Sequence, residues 1–196
     1  MTEPPRVRLR DVTLADAEML DAWATDPTLG SEFNDFGMVA EPISREVLAR
    51  GPLRNERNGQ LIVERLSDGE PIGGVGWHRV RYGPNPESEA WNIGIELLPA
   101  ARGQGYGVEA QILLARYLFE RTNANRVEAQ TDVENIAEQR ALEKAGFHII
   151  RQGKHIVMTN GVRQVTIPRH NPVKAFTMGG IVQDAGLTVE EFRKLL

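Results

Sequence analysis

The chain has 196 residues, of which 41% are hydrophobic and 26% charged, a composition typical of a globular protein that can bury one good core. Its net charge of -4 excludes an overall basic field for nucleic acid, and the absence of cysteine excludes disulfides, thiolate metal sites and cysteine nucleophiles. No run approaches the roughly 18 apolar residues of a membrane span, and the amino terminus lacks a signal-peptide core, so a cytoplasmic protein is expected.

The first part of the chain predicts one strand and two helices. Hydrophobic and polar residues alternate over 6–12, which is typical of a half-buried strand. Between Thr13, a suitable N-cap, and Pro27, a suitable stop, apolar residues recur at helical spacing. A shorter helix is predicted over 44–51.

Three strands are predicted next, over 59–66, 71–80 and 90–98. Asp68-Gly69 is a strong hairpin signal between the first two, and a longer loop joins the last two. The chain therefore predicts three strands that pair in antiparallel fashion.

Helices and a strand then alternate. A helix is predicted over 108–122, a strand over 126–133 and a helix over 135–147, with Gly146 at its C-cap. Antiparallel hairpins followed by a strand–helix–strand crossover imply a mixed α/β sheet. The predicted apolar face of the first of these helices consists of Ile112, Ala115 and Phe119.

The most informative stretch is "PAARGQGYGVEA" (99–110), which places Gly103, Gly105 and Gly107 between a strand and a helix. Glycines here let successive N–H groups turn toward one point, where the helix N-terminus adds partial positive charge. This pattern predicts an anion site, most naturally for phosphate, with Arg102 at its lip. The spacing matches neither a Walker loop nor a dinucleotide fingerprint. A glycine-rich connector without a ligand is the alternative.

Two motifs resemble those of the GNAT family of N-acetyltransferases. The run "IELLPAARGQGYGVEA" resembles the family's coenzyme motif, whose Arg/Gln-x-x-Gly-x-Gly/Ala pattern is met by Arg102, Gly105 and Gly107. The run "TDVENIAEQRALEKAGF" resembles its second motif, with Asn135 at the family's asparagine. The resemblance covers about residues 6–150. It implies a mixed, mainly antiparallel α/β (α+β) sheet flanked by helices, acetyl-CoA as cosubstrate, no metal, and a protein N-terminus or small amine as acceptor.

The resemblance also assigns residues to the coenzyme. Loop amides from Gly103 to Val108 would hold the pyrophosphate, and the pantetheine arm would pair with the end of the strand over 90–98. The backbone N–H of Leu97 would stabilise the developing oxyanion. The residues implied for coenzyme binding are Ile95, Glu96, Leu97, Arg102, Gly103, Gln104, Gly105, Tyr106, Gly107, Val108 and Asn135.

The implied reaction is direct attack by an amine, with a general base that takes its proton. Glu96 is the first candidate base, ahead of Glu89 and His78, and the alternative for Glu96 is an ordinary outward-facing strand carboxylate. Many relatives protonate the leaving thiolate with a tyrosine, but the aligned residue here is Leu142, so the general acid is unassigned.

Three further residues have two interpretations each. Trp77 and Trp91 either floor an acceptor pocket or form a cross-strand core pair. Asn135 either contacts the coenzyme or only caps its helix.

The segment after Phe147 resembles the HicA mRNA-interferase toxins, which have a double-stranded-RNA-binding-like fold of helix, three-stranded meander and helix. The resemblance rests on "RQGKHIVM", "VTIPRHNPVKAFTMGGIVQDAGLT" and "VEEFRKLL", and it places His155 at the toxin's catalytic histidine. We therefore divide the chain into an acetyl-CoA-binding body (1–147) and a HicA-like segment (148–196) that share the helix 135–147.

Local patterns in this segment predict strands over 148–153, 155–158 and 163–167, a hairpin turn at Asn160-Gly161, and a short helix over 178–187. Since one helix cannot serve two sheets, the segment is expected either to extend the acetyltransferase sheet in place of its last strands or to exchange strands between chains. Homodimerisation through this segment is a corollary.

Two alternatives to an active acetyltransferase stay open. One is an RNA-binding or RNA-cleaving module, and the other is a chimeric fold that binds the coenzyme and catalyses nothing. The basic residues that support the first are Arg151, Lys154, His155, Arg163, Arg169, His170 and Lys174.

Overall fold

A computed structural model of the chain describes residues 4–26, 28–33, 43–83, 88–123, 125–152, 155–161 and 188–194. The strands are β1 (Val7–Asp11), β2 (Asn58–Arg65), β3 (Pro71–Arg81), β4 (Glu89–Leu97), β5 (Arg126–Asp132), β6 (His148–Gln152) and β7 (His155–Gly161). The α-helices are α1 (Ala17–Thr25), α2 (Arg45–Ala49), α3 (Tyr106–Arg121), α4 (Ile136–Lys144) and α5 (Val189–Arg193), with 3-10 turns at Leu14–Asp16 and Pro99–Ala101. Within the described residues, no helix is long and apolar enough to cross a membrane.

The seven strands form one sheet in the order β1-β2-β3-β4-β5-β7-β6. Strands β4 and β5 are parallel, and all other neighbouring pairs are antiparallel. The predicted mixed, mainly antiparallel sheet is thus confirmed. In this single chain the C-terminal segment extends the sheet, because β7 pairs with β5 and β6 lies outside β7.

Helices cover both faces of the sheet. Leu61 and Val63 pack into the larger core cluster with α3 and α4, whereas Ile62, which lies between them, packs with Ala17 of α1 and Leu48 of α2. Because side chains alternate along a strand, these two clusters lie on opposite faces.

Strands β4 and β5 diverge partway along their length. Their pairing runs from Trp91↔Val127 to Ile93↔Ala129 and does not continue through the described residues 94–97 and 130–132. The sheet therefore opens into a cleft at the carboxyl ends of its parallel strands, beside the glycine-rich stretch.

The apolar face predicted for one helix is partly wrong. Helix α3 begins at Tyr106, two residues earlier than predicted, and of its predicted apolar face only Ala115 is buried. Ile112 and Phe119 are 36% and 39% exposed. The actual buried stripe follows the i, i+4 spacing of Ala110, Leu114 and Leu118, with Gln111 beside it.

The predicted hairpin at Asn160-Gly161 is also wrong. Both residues belong to β7, where they pair with Val127 and Arg126. Long-range pairing with β5 thus prevails over the local turn preference of this dipeptide. Pro27 and the elements predicted over 163–167 and 178–187 lie outside the described residues.

Candidate functional site

The glycine-rich stretch is a loop built on left-handed backbone. Gly103 has φ +74° and Gly105 has φ +84°, values that side-chain-bearing residues rarely adopt. Gly105 is the N-cap of α3, and Gly107 lies in its first turn. The loop amides and the positive end of a 16-residue helix therefore lie together beside the cleft.

Arg6 supports the loop from behind. Its Nη1 donates to the carbonyl oxygen of Gln104 at 3.0 Å, its Nε donates to Glu109 at 2.5 Å, and its guanidinium lies 5.1 Å from the ring centroid of Tyr106. These contacts tie the chain just before β1 to the first turn of α3. The sequence patterns gave no sign of this role, because Arg6 lies about 100 residues from its partners.

Arg102 connects the loop to two other segments. Its Nε donates to the carbonyl oxygen of Leu97 at 2.8 Å, and its Nη2 donates to those of Leu29 and Gly30 at 2.9 and 3.0 Å. The guanidinium thus holds the end of β4 and the segment after α1 in place at the lip of the cleft.

The cleft encloses a cavity of about 690 Å³, called here the interstrand cavity. Its walls are the glycine loop, the open ends of β4 and β5, and one face of α4. Gln104 and Tyr106 do not contribute to it, since Gln104 Nε2 donates to the carbonyl of Ala100 and Tyr106 packs beside Arg6. The residues assigned from sequence that do line this cavity are Ile95, Glu96, Leu97, Arg102, Gly103, Gly105, Gly107, Val108 and Asn135.

Several lining residues were missed at the sequence level. Helix α4 presents Glu138, Arg140 and Lys144 to the interstrand cavity, and β5 presents Gln130 and Thr131. The helical residues could have been predicted from Asn135, because residues three or four positions further along a helix lie on the same face. Arg140 and Lys144 add positive charge where the loop already favours an anion.

Glu138 is a carboxyl group that can exchange its proton near neutral pH. Burial raises its pKa to about 7, and this rise is partly offset by the hydrogen bond that Gln111 Nε2 donates to its Oε1 at 2.8 Å. Gln111 is 1% exposed, and its Oε1 has no hydrogen-bond partner within the part of the chain that the structure describes. A protonatable group thus lies on the wall of the interstrand cavity.

Glu138 should make the stability of the protein depend on pH. Between about pH 4.5 and 7 the folded protein keeps a proton on Glu138 that the unfolded chain has released, so this residue's contribution to the free energy of unfolding falls as the pH rises. The residue in Glu138→Gln cannot ionise. We therefore expect the difference in free energy of unfolding between this variant and the wild type to shift by about 3 kcal/mol in favour of the variant from pH 4 to pH 8. Denaturant unfolding at both pH values measures this change.

Glu143→Gln, on an exposed position of the same helix, is the matched control for removing a carboxylate from α4. The control should lack the gain seen for Glu138→Gln. Equal pH dependence of the wild type and Glu138→Gln would contradict the assignment of a raised pKa to this group.

A second cavity of about 550 Å³, called here the sheet-face cavity, lies between α1 and the face of β3 and β4 that α1 covers. Leu20 and Trp23 of α1, both half-buried, form part of its wall. The two cavities share Gly94, Ile95 and Glu96 of β4. Glu96 therefore contributes to the lining of both cavities.

Neither of the other two candidate bases lines both cavities. Glu89 forms ion pairs with Arg81 at 2.6 Å and with Arg79 at 3.1 Å. His78 is exposed and lines the sheet-face cavity but not the interstrand cavity. Of the three candidates, Glu96 is the one that lines both cavities.

Both tryptophans belong to the core. Trp77 is 5% exposed, packs on Tyr117 at 5.6 Å between ring centroids, and reaches the sheet-face cavity with part of its surface. Trp91 is 7% exposed and donates from Nε1 to Thr122 at 3.0 Å. Leu142, at the position where many relatives carry tyrosine, is fully buried in the core.

Asn135 caps α4, as predicted, and it also lines the interstrand cavity. Its Oδ1 accepts a hydrogen bond from the Glu138 amide at 3.1 Å, as an N-cap does, while the residue also lines the interstrand cavity. His155 begins β7, where its backbone pairs with Asp132, and its side chain lies outside the described set. The described residues contain no group of three or more His, Asp and Glu side chains that could hold a metal ion.

Two family models match the chain. One, described as an acetyltransferase (GNAT) domain, matches residues 6–148, and the other, described as the HicA toxin of bacterial toxin-antitoxin, matches residues 139–187. Both resemblances seen in the sequence are thus confirmed. The two matches overlap over 139–148, which spans most of α4 and the start of β6.

Related proteins and structures agree with the first match. The chain is 30% identical over 155 residues to the uncharacterised N-acetyltransferase YjdG of Bacillus subtilis, covering 75% of this chain and 89% of that protein. It is similar in structure to a GNAT-family acetyltransferase from Bacillus anthracis (TM-score 0.63, 18% identity, covering 81% of this chain and 96% of that chain). A second similar structure is the aminoglycoside acetyltransferase AAC(6')-Ib in complex with coenzyme A (TM-score 0.60, 23% identity, 79% and 94% covered).

Proposed function

The chain belongs to the GNAT family of acetyltransferases, and from this premise we propose that it transfers the acetyl group of acetyl-CoA to a primary amine by direct attack. The observation that carries the proposal is the meeting of two cavities at Gly94–Glu96, one beside the glycine loop and the other beside α1. Two substrates can thus approach the same three residues of β4 from different sides.

The interstrand cavity has the groups that acetyl-CoA requires. The loop amides and the N-terminus of α3 suit its pyrophosphate, and Arg140 and Lys144 add cationic partners for phosphate. The unpaired end of β4 can form strand-like hydrogen bonds with the amides of a pantetheine arm. The solved complex of the similar aminoglycoside acetyltransferase with coenzyme A supports this assignment.

Glu96 is the proposed general base. An amine in the sheet-face cavity gives its proton to Glu96, directly or through water, as the nitrogen–carbon bond forms and the carbon–sulfur bond breaks. The Leu97 N–H is the proposed donor to the developing oxyanion, an interaction of a type that contributes about 3 to 4 kcal/mol. Glu138, which lines the interstrand cavity and whose pKa is raised to about 7 by burial, is the proposed donor of a proton to the leaving thiolate, a role that Leu142 cannot fill.

A thiol-release assay with acetyl-CoA and a panel of amines tests the activity, and Glu96→Gln tests the base. We expect Glu96→Gln to lower kcat about 100-fold, because a positioned base contributes roughly that much or more. The affinity for coenzyme A, measured by calorimetry, should stay within about twofold, since the substitution is nearly isosteric.

Glu89→Gln is the matched control, because it removes a carboxylate from the same strand outside both cavities. Its kcat should equal that of the wild type. A Glu96→Gln enzyme with unchanged kcat would remove Glu96 from the mechanism.

The match of residues 139–187 to the HicA model favours a second candidate, an RNA-binding or RNA-cleaving module. We rank it second, because β7 carries His155 into the sheet of the acetyltransferase body, and Ile156 stands where many toxins have a second histidine. Cleavage of labelled RNA by the intact chain, lost in His155→Ala, would reverse this ranking.

A further inference from the structure

Three glycines form the floor of the sheet-face cavity. Gly74 and Gly76 on β3 and Gly94 on β4 face the same side of the sheet, with Gly76 paired to Gly94 and Gly74 paired to Glu96. The sheet therefore has a patch without side chains directly beside the proposed base.

Packing does not require these glycines. Among the described residues, a Cβ at Gly94 would meet nothing within 4 Å, and one at Gly76 would meet only a backbone oxygen at 3.6 Å. A Cβ at Gly74 would meet a backbone oxygen at 3.5 Å and Nε2 of Gln60 at 3.8 Å, both ordinary contact distances. At Gly59, by contrast, a Cβ would overlap the indole of Trp77. None of the three floor glycines has a positive φ. Since glycine weakens a strand, their shared effect is to keep a hollow open.

The described walls of this hollow are mostly apolar. Leu20, Trp23 and Ala24 of α1 form one side, and Leu98 closes an end. Glu96 is the single carboxylate among the described lining residues. Among the described lining residues, one ammonium group can therefore find a carboxylate partner, whereas further positive charges would be desolvated against leucine and tryptophan there.

Asn92 is a second polar residue of this cavity. It is 9% exposed, lines the sheet-face cavity, and its Nδ2 has no hydrogen-bond partner among the described residues. A buried, unpaired donor is costly unless a ligand satisfies it. Asn92 precedes Glu96 by four strand residues on the same face, a Cα separation of about 13 Å.

We propose that the sheet-face cavity takes a small amine with one positive charge, in which a ring-sized hydrophobic body separates the amine from a hydrogen-bond acceptor. The amine lies at Glu96, the body fills the glycine hollow against α1, and the acceptor receives the hydrogen bond of Asn92. Polyamines and aminoglycosides are disfavoured. The inference rests on the proposed acetyl transfer and specifies its acceptor.

Acetyl transfer to tyramine, phenethylamine, spermidine and kanamycin tests the acceptor class. Tyramine and phenethylamine differ only by the phenolic oxygen at the end remote from the amine. We expect kcat/KM for tyramine to exceed that for phenethylamine about tenfold, because one buried hydrogen bond contributes about that much. The kcat/KM values for spermidine and kanamycin should be lower still. In Asn92→Leu, which keeps the branching of the side chain and removes the amide, the preference for tyramine over phenethylamine should vanish.

Gly76→Val tests the hollow, because Gly76 lines the sheet-face cavity and not the interstrand cavity. We expect KM for tyramine to rise about tenfold or more, with the affinity for coenzyme A and the melting temperature close to those of the wild type. Gly76→Ala, which adds a single methyl group at ordinary contact distance, should have a smaller effect in the same direction.

The outcomes separate this inference from the proposed function. Binding of tyramine to the coenzyme-loaded protein, measured by calorimetry, tests the cavity even if no amine is acetylated, and failure of all acetyl transfer contradicts the proposed function alone. Higher kcat/KM for kanamycin or spermidine, or a folded Gly76→Val with wild-type KM and affinity for tyramine, would overturn the inference.

Discussion

Deletion of all residues after Phe147 is expected to give a product that aggregates and does not bind coenzyme A. Strand β7 pairs with β5 over seven residues, from Arg126↔Gly161 to Asp132↔His155, and its removal leaves β5 as a bare edge. This edge would carry unpaired backbone groups beside Val127 and Ala129, which belong to the core. Because β5 also forms one wall of the interstrand cavity, its disorder would disrupt the proposed coenzyme site. Size-exclusion chromatography with light scattering, together with calorimetry, measures both effects.

The matched truncation ends after Gly161 and keeps both β6 and β7. It should be soluble and bind coenzyme A within about threefold of the intact chain, since the pairing of β5 is preserved. A soluble, monomeric 1–147 fragment with normal coenzyme binding would instead show that 148–196 is an independent appendage. The comparison thus tests the division of the chain at residue 148 as well as the role of β7.

Features set by local backbone chemistry were predictable from the sequence. The left-handed conformations of Gly103 and Gly105 follow from the need for bare backbone between a strand and a helix, and Asn135 caps α4 as its side chain and position indicate. The order of strands and helices followed from hydrophobic periodicity and from turn signals such as Asp68-Gly69, where Gly69 has φ +73°.

Features set by contacts between distant segments were not predictable. Asn160-Gly161 has a strong turn preference but lies in a strand, because β5 offers a full row of backbone partners. The raised pKa of Glu138 depends on burial beside Gln111, a residue of another helix. The two cavities likewise exist only after β4 and β5 diverge and α1 crosses the sheet, so their meeting at Glu96 could be expected from the family resemblance but not from the local pattern.

Substitution of Gly105 by valine is expected to lower the affinity for coenzyme A about 100-fold or more. A β-branched residue is strained at φ +84°, and its Cβ would lie 3.0 Å from Nη2 of Arg6. Relief of this strain rotates the loop amides away from the phosphate. Each hydrogen bond to a charged group contributes about 1.5 to 3 kcal/mol, so the loss of two accounts for the expected change. Titration calorimetry with coenzyme A measures it.

Gly107→Ala is the control for Gly105→Val, because it adds a side chain beside the loop without straining the backbone that forms the anion site. A Cβ at Gly107 would meet Leu97 Cδ1 at 3.6 Å and Ile95 Cδ1 at 3.8 Å, both ordinary contacts, and the family pattern accepts alanine there. Its affinity for coenzyme A should therefore stay within a few-fold of the wild type. Since α3 packs into the core through Leu114 and Leu118, Gly105→Val should keep a cooperative unfolding transition while it loses the ligand. A folded Gly105→Val with wild-type affinity would show that the phosphates bind elsewhere and that the loop is only a connector.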